Sequence, residues 1–332
     1  MNTRFVLGFV ALAVSCCGLS QQMPQASDSG GGAASPAASG SRGQFRQELL
    51  RAVAADEATV QQAEAAHATD EQLGTVYWRL GIAYEGAAEW GRSEAALEHS
   101  ASLFRRVADG GSKLSTVLNS LAVVHIAMGD VRKSEKEEME ALRLREKSGD
   151  RLQLAESWST LAAVSLKQHK YEKARNFAAK AVAEFTANPK ADESDRIAAQ
   201  YALGIALCSL KDCASSVPVL KQALDDARTH FSAQDLPVGM GEFLLGYAHW
   251  KLGDMTSAGR EMHDAVTDMN AQLGWGHPTY MGVLALYAKY LHETRNVEAA
   301  NDVERQIRRA QAVVDVGEIQ SGRAVLGFDG LR

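Results

Sequence analysis

Apolar and small residues recur along the chain in an order that is written six times. Each copy has an apolar pair ending in a small residue, an apolar or aromatic position three further on, a turn, and a second helix opening on small residues. The small residue of the pair is Gly81, Ala122, Ala162, Gly204, Gly246 or Ala288, so successive copies lie 41, 40, 42, 42 and 42 residues apart. Large residues at i, i+3 and i+7 make one helix face, and the small residue between them lets a second helix approach closely. A constant period of this length predicts an all-α stack of antiparallel helix pairs, each burying its face against its neighbours. Ahead of the first copy, Phe45, Leu49, Val53 and Val60 recur near one face and predict a capping helix within 44–70.

The turns carry their own signals. Gly129-Asp130 and Gly253-Asp254 read as a turn followed by a helix N-cap, with Asp212 and Asn296 capping in other copies. Pro237 and Pro278 suit helix starts, whereas Pro218 inside a second helix predicts one lost backbone hydrogen bond or a slight bend.

Tyr77, Leu80, Gly81 and Tyr84 fall at the spacing W-x2-L-G-x2-Y. With the other five copies in register over 71–310, the sequence resembles tetratricopeptide repeats of the long kind, similar to those of kinesin light chain. That resemblance implies a right-handed superhelical solenoid whose first helices line a concave groove. It points Trp78, Asn119, Ser159, Tyr201, Phe243 and Ala285 inward, one per copy. Tyr247 lies in a second inward row and Trp250 one turn beyond. The aromatic set Tyr201, Phe243, Tyr247 and Trp250 is thus an expected anchor site for a peptide or partner protein, unless the rings pack between repeats instead. A carboxylate clamp of Lys, Arg and Asn is not expected, because only Asn119 in the first row is of that type.

Composition adds exclusions. The net charge of −6 does not suit a nucleic-acid binder. His263-Asp264 and His292-Glu293 lack a second ligand at helical zinc spacing, and no phosphate loop or G-x-S-x-G occurs. No metal, cofactor or catalytic residue is therefore expected. The charge run over 132–140 reads as a solvated convex face.

Residues 1–20 place Arg4 before an apolar run and small residues, the layout of a secretory signal. Three outcomes fit: cleavage after Ser20, lipidation at Cys16 within Ala13-Val14-Ser15-Cys16, where Ala13 stands in place of a larger aliphatic residue, or an uncleaved anchor, for which the apolar run is short. Residues 21–43 are rich in Gly, Ser, Ala and Pro and read as a flexible linker. Cys208 and Cys213 bracket the turn of the fourth copy, either as a disulfide that export would permit or as two buried thiols. Residues 311–332 read as a tail, with glycines from Gly317 onward expected to break any long element and 324–328 a candidate docking strand. The expectation is an exported, periplasmic or membrane-anchored interaction scaffold. The alternative is a membrane-tethered lipoprotein assembly factor of an envelope, secretion or pilus machine.

Overall fold

A computed structural model of the chain describes residues 41–321, apart from 233–234 and 274–277. The signal at 1–20, Cys16, most of the linker and the 324–328 segment lie outside the described residues. Thirteen helices are described: α1 Ser41–Ala65, α2 Asp70–Gly86, α3 Trp90–Phe104, α4 Gly111–Met128, α5 Val131–Ser148, α6 Arg151–Lys167, α7 Tyr171–Ala187, α8 Glu193–Ser209, α9 Cys213–His230, α10 Leu236–Leu252, α11 Met255–Leu273, α12 Pro278–Glu293 and α13 Val297–Ser321. They form α1 as a cap and six consecutive pairs, from α2–α3 to α12–α13. Two boundaries differ from the expectation. The capping helix takes in residues 41–43 of the predicted linker, and α13 runs through Gly317 to Ser321. A single glycine weakens a helix without ending it, at about 1 kcal/mol.

Each pair closes at one point. Twelve residues beyond the small residue of the first helix, the second helix presents Ser93, Ser134, Ala174, Ser216, Ala258 or Ala300, all fully buried at 0% exposure. Two of these serines donate to the opposing glycine carbonyl, Ser93 to Gly81 and Ser216 to Gly204, both at 2.8 Å. Sixteen residues beyond the small residue stands a size partner. Leu97, Leu220 and Met262 lie over Gly81, Gly204 and Gly246, and a Cβ at Gly81 would meet Leu97 Cδ2 at 2.6 Å. Where the first helix has Ala162, the partner is the smaller Ala178. Here close packing requires glycine and decides the pairing.

Seven residues beyond the small residue, the turn of every pair enters left-handed backbone: Ala88, Gly129, His169, Lys211, Gly253 and Arg295, with φ between 58° and 87°. The second helix then starts on the predicted caps. Asp130, Asp212 and Asp254 accept from the backbone N–H groups of Lys133, Ser215 and Ser257 at 3.1–3.2 Å, and Asn296 accepts from Ala299 at 3.4 Å. Pro218 sits inside α9, which continues through it.

From α2 to α10 the first helix of each pair touches the first helix of the next, while second helices pack on the first helix that follows them. The layer of first helices is therefore the inner one, and the array is a solenoid with these helices along its concave side.

Candidate functional site

The inner layer does not present the expected row of aromatic anchors. Tyr201 and Phe243 are each 1% exposed and Trp250 is 3% exposed. Successive first helices pack directly on one another, so a large residue pointing off the inner face meets the next helix before it meets solvent. The Tyr201 hydroxyl donates to the carbonyl of Pro237 on α10 at 2.8 Å. Trp250 Nε1 donates to Glu293 Oε2 on α12 at 2.9 Å. Half-buried Trp78 donates from Nε1 to Ser120 Oγ on α4 at 3.2 Å. Asn119, also half-buried, donates to Glu138 Oε2 at 2.8 Å and to Thr160 Oγ1 on α6 at 2.9 Å. These four side chains therefore tie α2 to α4, α4 to α6, α8 to α10 and α10 to α12. Of the six expected groove residues, only Tyr247 keeps a partly open ring free of such a tie.

The pairs are joined by two kinds of contact. Between pairs two and three the joint is polar. Arg145 of α5 is buried and donates from Nη1 to the Gln153 carbonyl (2.8 Å) and Ser157 Oγ (2.9 Å), and from Nη2 to Glu156 Oε2 (3.0 Å). Glu138, in the charge run expected to be solvated, is instead fully buried and engaged by Asn119. Burial pushes its carboxyl up to about 7 against the pull of Arg145. Glu156 is also raised by burial, with Arg145 opposing. Asp195 of α8 is pushed up to about 8, by burial first and then by Glu156 and Asp192.

Between pairs five and six the joint is aromatic. Trp250 meets Tyr247 and Tyr290 edge-on, each at 5.8 Å between ring centres, and Tyr290 stacks on Tyr287 at 6.2 Å. Two lysines cover this ladder. Lys251 Nζ lies 3.6 Å from the Trp250 ring centre and 5.1 Å from that of Tyr247, and Lys289 Nζ lies 6.0 Å from Trp250.

Four charged groups of the inner layer remain accessible but have lost hydration. Glu156 keeps 32% of its side chain open, Asp195 and Lys167 are half-buried, and Lys251 is exposed. Burial nevertheless raises both carboxyls and lowers both ammonium groups, with Lys289 also lowering Lys251. Accessible yet poorly hydrated is the condition of a side chain on the wall of a concavity. Glu156 and Asp195 stand near the N-terminal ends of α6 and α8, whereas Lys167 and Lys251 close α6 and α10, each five residues past the small residue of its copy. Helix dipoles favour these signs at these ends, so the signs alone do not mark a site. The lost hydration sets them apart. Sequence reading missed Lys167 and Lys251 because charge at a helix end reads as solvated, and missed the Glu138–Arg145–Glu156 joint because its members lie on two different helices. The signal that was present is the shared register of Lys167 and Lys251 across copies.

Cys208 and Cys213 are joined by a disulfide that closes the turn of the fourth pair. Among the described residues, no cluster of His, Cys, Asp and Glu is arranged to hold a metal ion.

No curated protein is detectably similar to the sequence. Among solved structures, the chain is similar to the apo form of RapI, at 13% identity and a TM-score of 0.66 over 81% of this chain and 94% of that one. It is also similar to the Rap conjugation gene regulator of the plasmid pLS20 in complex with the Phr* peptide, at 11% identity and a TM-score of 0.64 over 97% and 99%. A putative kinesin light chain from Podospora anserina with nearly identical TPR-like repeats matches at 14% identity and a TM-score of 0.50 over 60% and 96%. Likeness at these identities concerns the fold. The family profile described as Tetratricopeptide repeat matches residues 113–187 and 153–229, that is, pairs two to four. With the same register continuing in the pairs on either side, the chain is a tetratricopeptide-repeat protein.

Proposed function

We propose that the chain is an exported interaction scaffold that takes an extended peptide, or a segment of a partner protein, across its inner face. Basic side chains of that segment lie toward Glu156 and Asp195, and acidic ones toward Lys167, Lys251 and Lys289, with the open part of Tyr247 between pairs as an apolar contact. The carrying observation is the placement of Glu156, Asp195, Lys167 and Lys251 along the accessible inner face beside the partly open Tyr247 ring, with burial shifting all four groups towards their neutral forms. Such groups have less hydration to surrender when a ligand charge arrives. Among proteins of this fold, the pLS20 regulator was solved with a peptide bound, which supports the choice of ligand class. The reading includes no catalytic step and no nucleic acid. The layout of residues 1–20 supports export, to the periplasm or to a membrane surface through a lipid on Cys16. Intact-mass measurement of the N-terminus from the cell envelope distinguishes cleavage after Ser20, a lipid on Cys16 and an uncleaved anchor, and recovery of the chain only from the cytoplasm removes export.

The binding claim is tested by selecting a displayed random peptide library on the folded chain. Enriched peptides should combine acidic and basic positions and should bind the K251E/K289E variant at least about tenfold more weakly, a loss of roughly 1.4 kcal/mol. Peptides that bind this variant as tightly as the parent chain would remove the inner face from the proposal.

A further inference from the structure

A second groove lies on the opposite side of the array. The second helices α5 and α7 stand apart with α6 beneath them, leaving a trough of about 790 Å³. Leu161 and Val164 of α6 form its floor, and Met139 and Phe177 add apolar surface from the two walls. Met139 is among the exposed large apolar side chains of the protein.

The walls are cationic. Arg132, Lys136 and Arg143 line it from α5, and Lys173 and Lys180 from α7, against two carboxylates, Glu135 and Glu140. Both carboxylates are already engaged. Glu140 receives Arg105 of the preceding pair at 3.3 Å, while Glu135 receives Gln168 Nε2 at 2.5 Å and lies 3.9 Å from Lys170. All five cations are exposed, and none pairs with a carboxylate among the described residues. Lys180 lies instead 5.6 Å from the centre of the Trp158 ring. Some exposed cations elsewhere are paired, as in Arg79–Asp56, Arg106–Asp70 and Lys113–Glu71; the trough differs in gathering several unpaired ones in one place. In a chain of net charge −6, one apolar trough thus collects five unneutralised positive charges.

The spacing of those charges indicates the occupant. Arg132 and Arg143 are separated by about 16 Å along α5, the length of three helical turns, and the walls belong to two helices of neighbouring pairs. We propose that the trough docks an acidic amphipathic helix of about three turns from a partner protein. Its apolar stripe rests on Met139 and the open part of Phe177, above a floor whose Leu161 and Val164 are already covered, and its carboxylates face Lys136 and Arg143 on one wall and Lys173 and Lys180 on the other. A flat anionic bilayer would reach the rims but not enter the trough between them.

The test uses the full chain and a labelled synthetic helix of about three turns, with leucines on one face and glutamates on both flanks. In fluorescence anisotropy, K136E/R143E/K180E should weaken binding at least about tenfold while the far-ultraviolet spectrum is unchanged, because all three side chains are exposed. K251E/K289E on the inner face should leave this binding as it was, which separates the claim from the peptide groove. No binding of the helix, equal binding of a scrambled peptide of the same composition, or indifference to the triple variant would each overturn the proposal. Binding of phosphatidylglycerol vesicles in preference to the helix would also overturn it and assign the trough to a membrane surface.

Discussion

Glu138 and Met262 occupy the same register position, sixteen residues beyond the small residue of their copies, in pairs two and five. Both are fully buried. Met262 fills the space over Gly246 and joins an apolar core with Phe243 and Trp250, whereas Glu138 is held in a network with Asn119 and the neighbouring Arg145. One repeat geometry thus accepts two chemistries. A joint built on area tolerates any solution in which the apolar effect operates. A joint built on a buried guanidinium and carboxyls depends on every partner remaining in its protonation state.

The largest effects should come from removing one large buried side chain of each chemistry. Arg145→Ala leaves Glu138 and Glu156 without their cation, and Phe243→Ala opens a cavity; each should cost about 3–5 kcal/mol in urea unfolding. The comparison sharpens if the Arg145→Ala loss shrinks in acid, where the carboxyls are protonated, while the Phe243→Ala loss does not. Equal pH dependence of the two would break it.

Next is the pH profile. Glu138 and Asp195 hold protons in the fold that the unfolded chain has already released, so each favours folding fully at low pH and loses that contribution as pH rises from about 4.5 towards their raised values of about 7 and about 8. His125 acts in the same direction. Burial lowers it, but Glu137 and Glu94 outweigh that and raise it, so its contribution also fades as pH rises. The Tm should fall between about pH 5 and pH 8, and Glu138→Gln should flatten the fall by an amount on the order of 3 kcal/mol at most. An unchanged slope in this variant would show that Glu138 does not titrate in that range.

The smallest effect is expected between the two joints, at the Cys208–Cys213 bridge. Closing so short a loop is worth about 2 kcal/mol, and reduction should lower the Tm by no more than that implies. A counted pair of free thiols in the untreated protein would remove the bridge.

The pair boundaries, caps and small-residue contacts were legible because period and turn chemistry depend on local sequence. Gly81, Gly204 and Gly246 announce close approach wherever they stand. The groove was less legible. Spacing assigns Tyr201, Phe243 and Trp250 to the inner side of their helices, but that side contains both the open groove and the next first helix, and only the stacking of whole pairs separates the two. Arg145 and Glu138 were hidden for a related reason. Their partners Asn119, Gln153 and Glu156 lie on other helices, so nothing within α5 distinguishes them from the solvated charges beside them.

The size partnership inside each pair also limits how the modules could be exchanged. Gly204 is matched to Leu220, whereas Ala162 is matched to Ala178. A chimera joining α8 to α7 would set a glycine against an alanine and leave a void, and the reverse exchange would press Ala162 into a leucine. The copies therefore resemble keys cut to separate locks more than interchangeable bricks, and a lengthened or shortened array must gain or lose whole pairs.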